Sequence, residues 1–511
     1  MTSCSKDWLT LSPDTNYAKT VDAVVASVDS MEMSVYGMSR MMTQQYTNQW
    51  FNGEGTIKTL YGNYPGNDYQ RSRFAGAKKL ANMESMEDAS ALYSQYAWYY
   101  YYRIITNANI VINGADNAEG DKKKGMFLKA QALTYRAYCY HMLVQLYCKR
   151  WIDSNNGASR GVILRLGSTD NGKVNTDENN KACATLLESY QQIYADLNEA
   201  ISLYTQSGLQ RPDSCKYLPD VDAAYAIYAR AALNREDWAT AAQMAQKAYA
   251  SHPLMSNTEY CSGFNTPNDE WIWSVHTQSS ETIAFYGFFS HEGSNSSSSY
   301  SRNYPAAISK ELYMQIPESD IRRNLFIDLP QGTYTVSTGV ANAKKTAEIR
   351  AQYKDYLYAS TAVCYLMQIK QRTILQPSIG DFNLFRSSEM YLIEAEADYY
   401  LGKEAEARAA ITKLNKESGR NPEYSCEGLS GTDLLNEIRL YNRIELWGEG
   451  HDWFNYKRWG LPIERHGTSQ GGNFYSTFVI TVQPSDHNNW CWVIPDTETE
   501  YNNKVTAREG E

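Results

Sequence analysis

The chain lacks both a membrane-spanning apolar run and the motifs of the common enzyme classes. Its 511 residues contain no stretch of about 18 apolar residues, which argues against a transmembrane helix. No P-loop, Rossmann glycine pattern, GxSxG or HExxH occurs. The seven histidines stand in no metal-binding spacing with one another. The sequence therefore predicts a protein without catalytic activity, cofactor or metal site.

Closely spaced cysteines and excess positive charge are also missing. The nine cysteines form no CxxC, which excludes a zinc knuckle and a thioredoxin-type redox motif. Cys4 stands apart near the N-terminus, and eight cysteines remain if it does not take part in pairing. This even number is compatible with disulfides, but the spacing does not show which cysteines would pair. The net charge of −10 argues against nucleic-acid binding, because such a protein needs a basic face for phosphates.

Aromatic residues are abundant, and tyrosine leads them. The chain has 41 tyrosines and 12 tryptophans, and aromatics make up 13% of its residues. A tyrosine combines a flat apolar face with a hydroxyl group, which suits a wet surface that binds polar ligands. A tyrosine-rich core is the alternative, and composition alone does not decide between the two.

Helical periodicity covers much of the chain. Apolar spacing predicts helices over about 21–49, 89–115, 125–150 and 182–204. Residues 222–253 and 387–422 each resemble a tetratricopeptide hairpin: Ala229 and Ala241 stand twelve apart, as do Ala395 and Ala407. Small residues recur at such positions because the two helices of a hairpin approach closely. Two ordinary helical hairpins are the alternative.

Two long segments interrupt this helical pattern. Residues 254–382 are rich in Gly, Ser, Asn and aromatics, and a similar stretch, GTSQGGNFYSTF, lies at 467–478. Long irregular insertions in a helical scaffold are often functional. The sequence predicts a mainly α fold in one domain. A helical hairpin scaffold spans about 21–253 and 383–460, with a loop-rich insertion at 254–382 and an irregular segment at 461–511.

Aromatic and amide side chains concentrate in the irregular segments, as in LYGNYPGNDYQ (60–70) and EWIWSVHTQSSETIAFYGFF (270–289). Sugar rings stack their C–H groups on aromatic faces, while amides and carboxylates bind their hydroxyls. Trp271 and Trp273 would share one face of a strand, although EWIWSV also fits a buried strand. The predicted ligand-binding residues are Tyr61, Asn63, Tyr64, Asp68, Tyr69, Trp271, Trp273, Tyr286 and Tyr300.

Charge concentrates in RIELWGEGHDWFNYKRWG, residues 443–460. Glu445 and Glu449 would lie on one helical face, and His451 follows, but the spacing fits no metal motif. We therefore expect structural ion pairs, with Arg439, Arg443, Lys457 and Arg458 as the cations. The oxygen-rich loop STDNGKVNTDENN (168–180) lacks the EF-hand pattern, which favours a solvated loop over a calcium site.

Several segments together resemble one family. LNEIRLYNRIELWGEGHDWFNYKRWG resembles the C-terminal signature of the SusD/RagB family of Bacteroidetes outer-membrane lipoproteins. FRSSEMYLIEAEADYYLGKEAEARAAITKLNKESG is similar to the family's preceding motif, CSKDWLTLSPDTNY to its mature start and WVIPDTETEYNN to its closing segment. Asp452 stands where the family usually has Arg, and Asn455 where it usually has Asp. We expect a neutral contact there in place of a local ion pair.

The resemblance implies a cell-surface protein of the outer membrane, lipid-anchored through Cys4. Such proteins cover a SusC-like TonB-dependent transporter, bind oligosaccharides or in some members peptides, and pass them on for import. The predicted function is therefore glycan binding and delivery to that transporter. The alternative is a RagB-type repeat scaffold that binds peptide or protein without carbohydrate. No catalysis, cofactor or nucleic acid is implied.

Overall fold

The fold is built mainly from α-helices, as the sequence predicts. A computed structural model describes residues 24–46, 48–71, 77–167, 176–279 and 287–510. Its helices of eight or more residues are α1 Val28–Met41, α2 Leu92–Gly114, α3 Lys122–Tyr147, α4 Leu186–Ser207, α5 Val221–Asn234, α6 Trp238–Tyr249, α7 Ala343–Gln352, α8 Ser387–Tyr400, α9 Glu404–Thr412, α10 Gly431–Glu445 and α11 Asp452–Trp459. Most of the predicted helices are therefore present, with boundaries shifted by a few residues.

The two predicted repeat hairpins are α5–α6 and α8–α9. Each joins its helices through a short turn, and α6 also packs against α8, so the two hairpins lie side by side. Asp220 and Asp237 cap the N-termini of α5 and α6 with their carboxylates. The alanines at the repeat positions have no exposed surface: Ala229, Ala232, Ala241, Ala245, Ala248, Ala395 and Ala407. Their small size permits the close approach of the helices.

Many tyrosines belong to the core, as the alternative interpretation of the composition holds. Tyr100 and Tyr101 on α2 and Tyr138 on α3 each donate a hydrogen bond to the buried carboxylate of Glu54. Burial raises the pKa of Glu54, and these three hydroxyl groups oppose that rise. A tyrosine-rich helix pair can thus enclose a carboxylate without a direct ion pair.

The strands are short and lie mainly in the irregular segments. They are β1 Gln45–Tyr46, β2 Asn48–Asn52, β3 Tyr69–Arg71, β4 Trp271–Val275, β5 Ala306–Ile308, β6 Phe326–Ile327, β7 Met367–Gln368, β8 Phe382–Arg386, β9 Ile463–Arg465 and β10 Ile480–Val482. The four-stranded sheet has the order β3–β5–β7–β6, and all its pairs are antiparallel. Antiparallel pairs also join β4 to β8, β9 to β10 and β1 to β2.

The four-stranded sheet stands between two hydrophobic cores. Alternate residues of β5 belong to different cores: Ala306 and Ile308 to the main helical core, and Ala307 to a smaller one. The smaller core also contains Ile327, Val363 and Met367. Successive strand residues face opposite sides, so this assignment follows from the strand period. The sheet thus places the 326–369 segment against the scaffold.

The charged segment after α10 forms a buried ionic network, so the predicted structural ion pairs are confirmed. However, the cations predicted to pair with the two glutamates are not their partners. Glu445 pairs with Arg322 and Arg386, and Glu449 pairs with Arg386 and Lys370, all at 2.7–2.8 Å. The network comprises Glu270, Asp320, Glu445, Glu449, Arg322, Lys370, Arg386 and Arg420.

Each charge of this network has an opposite charge within 3.0 Å, and every side chain is at most 2% exposed. Burial alone would raise the pKa of Glu445, but Arg420, Arg386 and Arg322 hold that pKa well below its usual range. The two glutamates do not share a helical face, because α10 ends at Glu445 and Gly448 has a φ of 75°. Glu449 reaches the network from this glycine-rich turn.

The cations that were expected to pair with the two glutamates have other roles. Arg443 binds Asp68 with two hydrogen bonds of 2.7 Å, and Arg458 pairs with Glu396. Lys457 donates to the backbone carbonyls of helix α3 and the residue after it. Asn455 donates to Asn442 at 2.7 Å, and Asp452 accepts from the backbone N–H of Asp68 at 2.7 Å, so these two positions have separate partners and the expected neutral contact between them stays a prediction. These contacts tie α11 to three separate parts of the scaffold.

Within the described residues we find no disulfide and no membrane-spanning helix. The eight cysteines among them form no disulfide with one another, so the disulfides that their even number permitted are absent there. No helix in the described ranges is long and apolar enough to span a membrane. Helices of eight or more residues occur inside the predicted insertion only at α7. The single-domain division with its boundaries remains a prediction.

Candidate functional site

The structure brings together residues from the two tyrosine-rich segments that were predicted to bind ligand. Tyr64 donates to Tyr300 at 2.9 Å between hydroxyl oxygens, and the rings of Tyr64 and Tyr69 stack at 5.7 Å. The Arg71 guanidinium lies 4.9–5.6 Å from the ring centres of all three tyrosines. We call these three tyrosines with Arg71, His291 and Glu292 the tyrosine cluster.

The buried charged side chains of Arg71 and Glu292 hold the residues of the tyrosine cluster together. Tyr69 donates to both carboxylate oxygens of Glu292, at 2.8 and 3.0 Å, and Arg71 lies 3.6 Å from the same carboxylate. Burial raises the pKa of Glu292, and Arg71 and Tyr69 oppose the rise. Burial together with Arg71 lowers the pKa of His291 to about 3, so its imidazole is neutral at physiological pH. Arg71 also donates to two backbone carbonyls, which closes the cluster.

Most of the tyrosine cluster is enclosed. Tyr64 and Tyr69 are 4% and 3% exposed, while Tyr300 is partly exposed. The ligand-binding role of these residues stays a prediction. In this structure only Tyr300 offers ring surface to solvent.

The other predicted residues of the 60–70 segment serve contacts within the protein. Tyr61 donates to the carbonyl of Tyr93 and packs on Trp492. Asn63 holds the glycine-rich turn of the charged segment through its amide. Asp68 is bound by Arg443 and by Ser309. Their ligand-binding role also stays a prediction, with each functional group already bonded inside the fold.

Trp271 and Trp273 lie in the core, away from the tyrosine cluster. Neither indole has exposed surface, and all five residues of β4 are buried. Trp273 packs edge-on against Tyr135 and Tyr138 of α3 and donates its indole N–H to the carbonyl of Tyr217. The buried-strand interpretation of EWIWSV is therefore correct. Of the remaining candidates, Tyr286 and Cys4 lie outside the described residues.

A second assembly of tyrosines lines an open cleft on the other face of the four-stranded sheet. The cleft has a volume of about 340 Å³. Its residues come from the sheet, from 331–339, from 364–365 and from 468–475. We call it the Tyr334–Tyr365 cleft, and its lining is Gln70, Ala307, Lys310, Gln331, Gly332, Tyr334, Val336, Thr338, Gly339, Cys364, Tyr365, Thr468, Gly471, Gly472, Asn473 and Tyr475.

The cleft presents aromatic faces and unsatisfied polar groups. Tyr334 and Tyr365 stack with centroids 4.7 Å apart and planes 7° from parallel, and Tyr475 is also partly exposed. The hydroxyl groups of the three tyrosines form no hydrogen bond within the described part of the chain. Gln70 is only 7% exposed, yet its amide has no partner among the described residues. Polar side-chain groups normally form hydrogen bonds, so the Gln70 amide is available to a ligand or to water at the cleft.

The local backbone explains why the cleft stays open. Gln70 and Ala307 face each other across β3 and β5, and the small Ala307 leaves space above the sheet. Asn473 accepts from the backbone N–H of Lys310 and donates to the carbonyl of Ile308, which fixes the 467–475 segment to the sheet edge. A Cβ at Gly472 would stand 2.1 Å from the carbonyl oxygen of His466. Only glycine therefore fits there.

The sequence did not single out this cleft. Tyr475 lies in GTSQGGNFYSTF and Gln70 ends LYGNYPGNDYQ, and composition marks both as irregular segments with aromatic and amide side chains. Tyr334 and Tyr365 stand 31 positions apart in a segment without periodicity, and no local pattern could pair them. Their stack depends on a bridge between Val340 and Cys364, which is a tertiary contact.

Other cavities also occur in the described part of the chain. A larger cleft of about 960 Å³ lies at the C-terminal end of α4 and the start of α5 and contains His252 and His276. Each of these histidines is already paired with an aspartate, Asp222 and Asp381 respectively. A smaller cavity of about 50 Å³ lies beside Lys58 and Arg230. No group of three or more metal-ligating side chains is found among the described residues.

Comparison with known proteins identifies the family to which the chain belongs. A family model described as starch-binding associating with outer membrane matches residues 7–233, and a model described as SusD family matches residues 333–509. The chain belongs to the SusD/RagB family. The resemblance of the charged segment is thereby confirmed.

Relatives and solved structures agree with this SusD/RagB assignment. A SusD-like protein of Formosa agariphila is 23% identical over 393 residues, which cover 72% of this chain and 70% of that protein. The fold is similar to a SusD-like carbohydrate binding protein from Bacteroides vulgatus, with a TM-score of 0.77, 22% identity and coverage of 95% of this chain and 99% of that one. A SusD homolog from Bacteroides thetaiotaomicron gives a TM-score of 0.71 at 18% identity, covering 99% and 100% of the two chains.

Proposed function

We propose that this protein binds oligosaccharides at the cell surface and passes them to a SusC-like TonB-dependent transporter. In this proposal it is held at the outer membrane by a lipid on Cys4. The Tyr334–Tyr365 cleft is its glycan site. Family membership supports the surface location, and similar proteins carry the descriptions starch-binding and carbohydrate binding.

One observation carries the choice of site: the cleft combines partly exposed tyrosines with the Gln70 amide, which has no partner among the described residues. The apolar C–H face of a sugar packs on an aromatic ring, and its hydroxyls bond to amide and phenol groups. A sugar hydroxyl can hydrogen-bond to the Gln70 amide in place of water. The tyrosine cluster has most of its rings covered, which makes it a weaker candidate.

We propose no catalytic role for the paired glutamates of the charged segment. Glu445 and Glu449 are 0% and 1% exposed, and both are bound by cations at 2.7–2.8 Å. A general acid needs a pKa near the working pH and access to the substrate. The pKa of each glutamate is instead held well below its usual range.

A glycan array, followed by affinity electrophoresis on the retained polysaccharide, tests the proposal. We expect retention by at least one glycan, and we expect Tyr365→Ala to weaken binding about thirtyfold, as loss of a hot-spot aromatic does. Tyr501→Ala removes a ring that is 83% exposed and does not line the cleft, so it serves as the control. Binding to peptides alongside retention by no glycan would contradict the proposal and favour a RagB-type peptide-binding scaffold.

The anchor and the transporter require a separate test. In the native host we expect a palmitate label on the wild-type protein and none on Cys4→Ser. We also expect a SusC-like transporter to co-purify with the wild-type protein. An unlabelled wild-type protein, or purification without such a transporter, would remove this part of the proposal while leaving glycan binding intact.

A further inference from the structure

The Tyr334–Tyr365 cleft contains a single charged side chain, that of Lys310. All other described residues that line it are neutral. Lys310 is partly exposed, and its ammonium group makes no ion pair or hydrogen bond with the described residues. Its backbone is fixed, because its N–H donates to Asn473 at 2.9 Å. The Lys310 backbone is therefore fixed beside the cleft, and its ammonium group remains available to a ligand.

The surroundings do not neutralise this cation directly. Glu311 is the nearest carboxylate in sequence; its Oε1 lies 3.3 Å from the Nδ1 of His466, and a Cβ at Gly472 would stand 2.6 Å from that same oxygen. Burial, and to a smaller extent Asp328, raises the pKa of Tyr334, so Asp328 lies near the stack. Neither acid lines the cleft. The protein as a whole carries a net charge of −10, so an anion would be attracted only by a local cation such as this one.

We propose that the glycan bound in the cleft is acidic, and that its carboxylate or sulfate group pairs with Lys310. This inference rests on the proposed function, since it requires that the cleft bind a sugar. The tyrosine stack would hold the ring, Gln70 the hydroxyls and Lys310 the anionic group. Lys310 would then determine specificity by favouring acidic over neutral sugars of the same shape.

The test uses matched pairs of oligosaccharides in titration calorimetry on the full chain. One pair is oligogalacturonate and its methyl ester, and the other is a carrageenan oligosaccharide and its desulfated form. We expect an acidic member to bind about three- to tenfold more tightly than its neutral partner, as a partly exposed charge pair allows. That preference should shrink as salt is raised. The pair that shows it distinguishes a carboxylate from a sulfate.

Variants separate this inference from the proposed function. Lys310→Gln should abolish the acidic preference, so that both members of a pair bind with equal affinity, while Lys504→Gln, which removes an exposed cation that does not line the cleft, should leave the preference as it is in the wild type. Equal binding of both members by the wild type would overturn the inference and leave the proposed function standing. An acidic preference that survives in Lys310→Gln would also overturn it. If no member of either pair binds and the glycan array is empty, both proposals fail.

Discussion

The ionic network and the Tyr334–Tyr365 cleft both contain several polar side chains, but these side chains have partners within the protein in the network and lack them in the cleft. In the network, four carboxylates and four cations each have a partner within 3.0 Å, and water has almost no access. In the cleft, the Gln70 amide and three tyrosine hydroxyls lack partners within the described residues. The charged segment resembles a reactive site in sequence, but its glutamates are structural, because each of their charges is already paired within the network.

This difference gives a criterion for separating framework from binding site. Removing a satisfied buried group leaves its partners uncompensated, so the cost falls on stability. Removing an unsatisfied group at a cleft changes what a ligand can contact and leaves the fold intact. The same mutation type should therefore have opposite effects in the two regions, and the following variants test this.

The largest loss of stability should come from Arg386→Met. Arg386 binds Glu270, Glu445 and Glu449 at 2.7–2.8 Å, so the variant leaves three buried carboxylates short of a partner. We expect a loss of about 3–5 kcal/mol, or failure to fold, in urea denaturation. Arg103→Met, which removes a surface guanidinium with no ion pair in the described residues, is the control. A loss below about 1 kcal/mol would show that the network is not what holds this region together.

Trp273→Ala should cost nearly as much, about 3–5 kcal/mol, because it empties space between β4 and helix α3. The measurement is the melting temperature together with glycan affinity of the remaining folded protein. A ligand-binding role for Trp273 predicts the reverse pattern, an unchanged melting temperature with lost affinity. That result would contradict its assignment to the core.

Two amides allow the sharpest comparison. Asn383 is 5% exposed and donates to Glu449 at 2.7 Å, while Gln70 is 7% exposed and has no partner in the described residues. We expect Asn383→Ala to cost about 1–3 kcal/mol in urea denaturation and Gln70→Ala to change stability by less than about 0.5 kcal/mol. Gln70→Ala should instead weaken glycan binding. Equal stability losses in the two variants would remove the distinction between the regions.

The last prediction concerns pH and the buried carboxylate of Asp452, which accepts from the backbone N–H of Asp68 at 2.7 Å. Burial, and then Asp68, raises the pKa of Asp452 to about 7, against about 3.9 in an unfolded chain. The folded state therefore favours the protonated acid, and stability falls as pH rises from about 4 to 7. Asp452→Asn should stabilise the protein more at pH 8 than at pH 5. Thermal melts at both values check this, and an equal shift at each pH would contradict it.

The helical scaffold could be predicted from sequence because its signals are local. The apolar period marks α2, α3 and α4, and the alanine spacing marks both repeat hairpins. The charged segment was also interpreted correctly as structural, since its spacing fits no metal site. Its partners were not predictable, because Arg322, Arg386 and Arg420 come from segments up to about 120 positions away that only the tertiary fold brings together.

The candidate site was predictable only in part. Composition directed attention to tyrosine-rich irregular segments, and the structure places Gln70 and Tyr475 from such segments in the cleft. Composition could not say which tyrosines are covered. Tyr69 and Arg71 point to the scaffold side of β3, while the intervening Gln70 faces the cleft. A strand period of two over three residues gives no sign of which side is open.

The most direct test of the account is a crystal structure of the protein with the glycan that it binds most tightly on the array. The account predicts ordered sugar in the Tyr334–Tyr365 cleft, packed on a tyrosine ring and hydrogen-bonded to the Gln70 amide. Ordered sugar confined to the 960 Å³ cleft beside His252, with the Tyr334–Tyr365 cleft holding none, would contradict it.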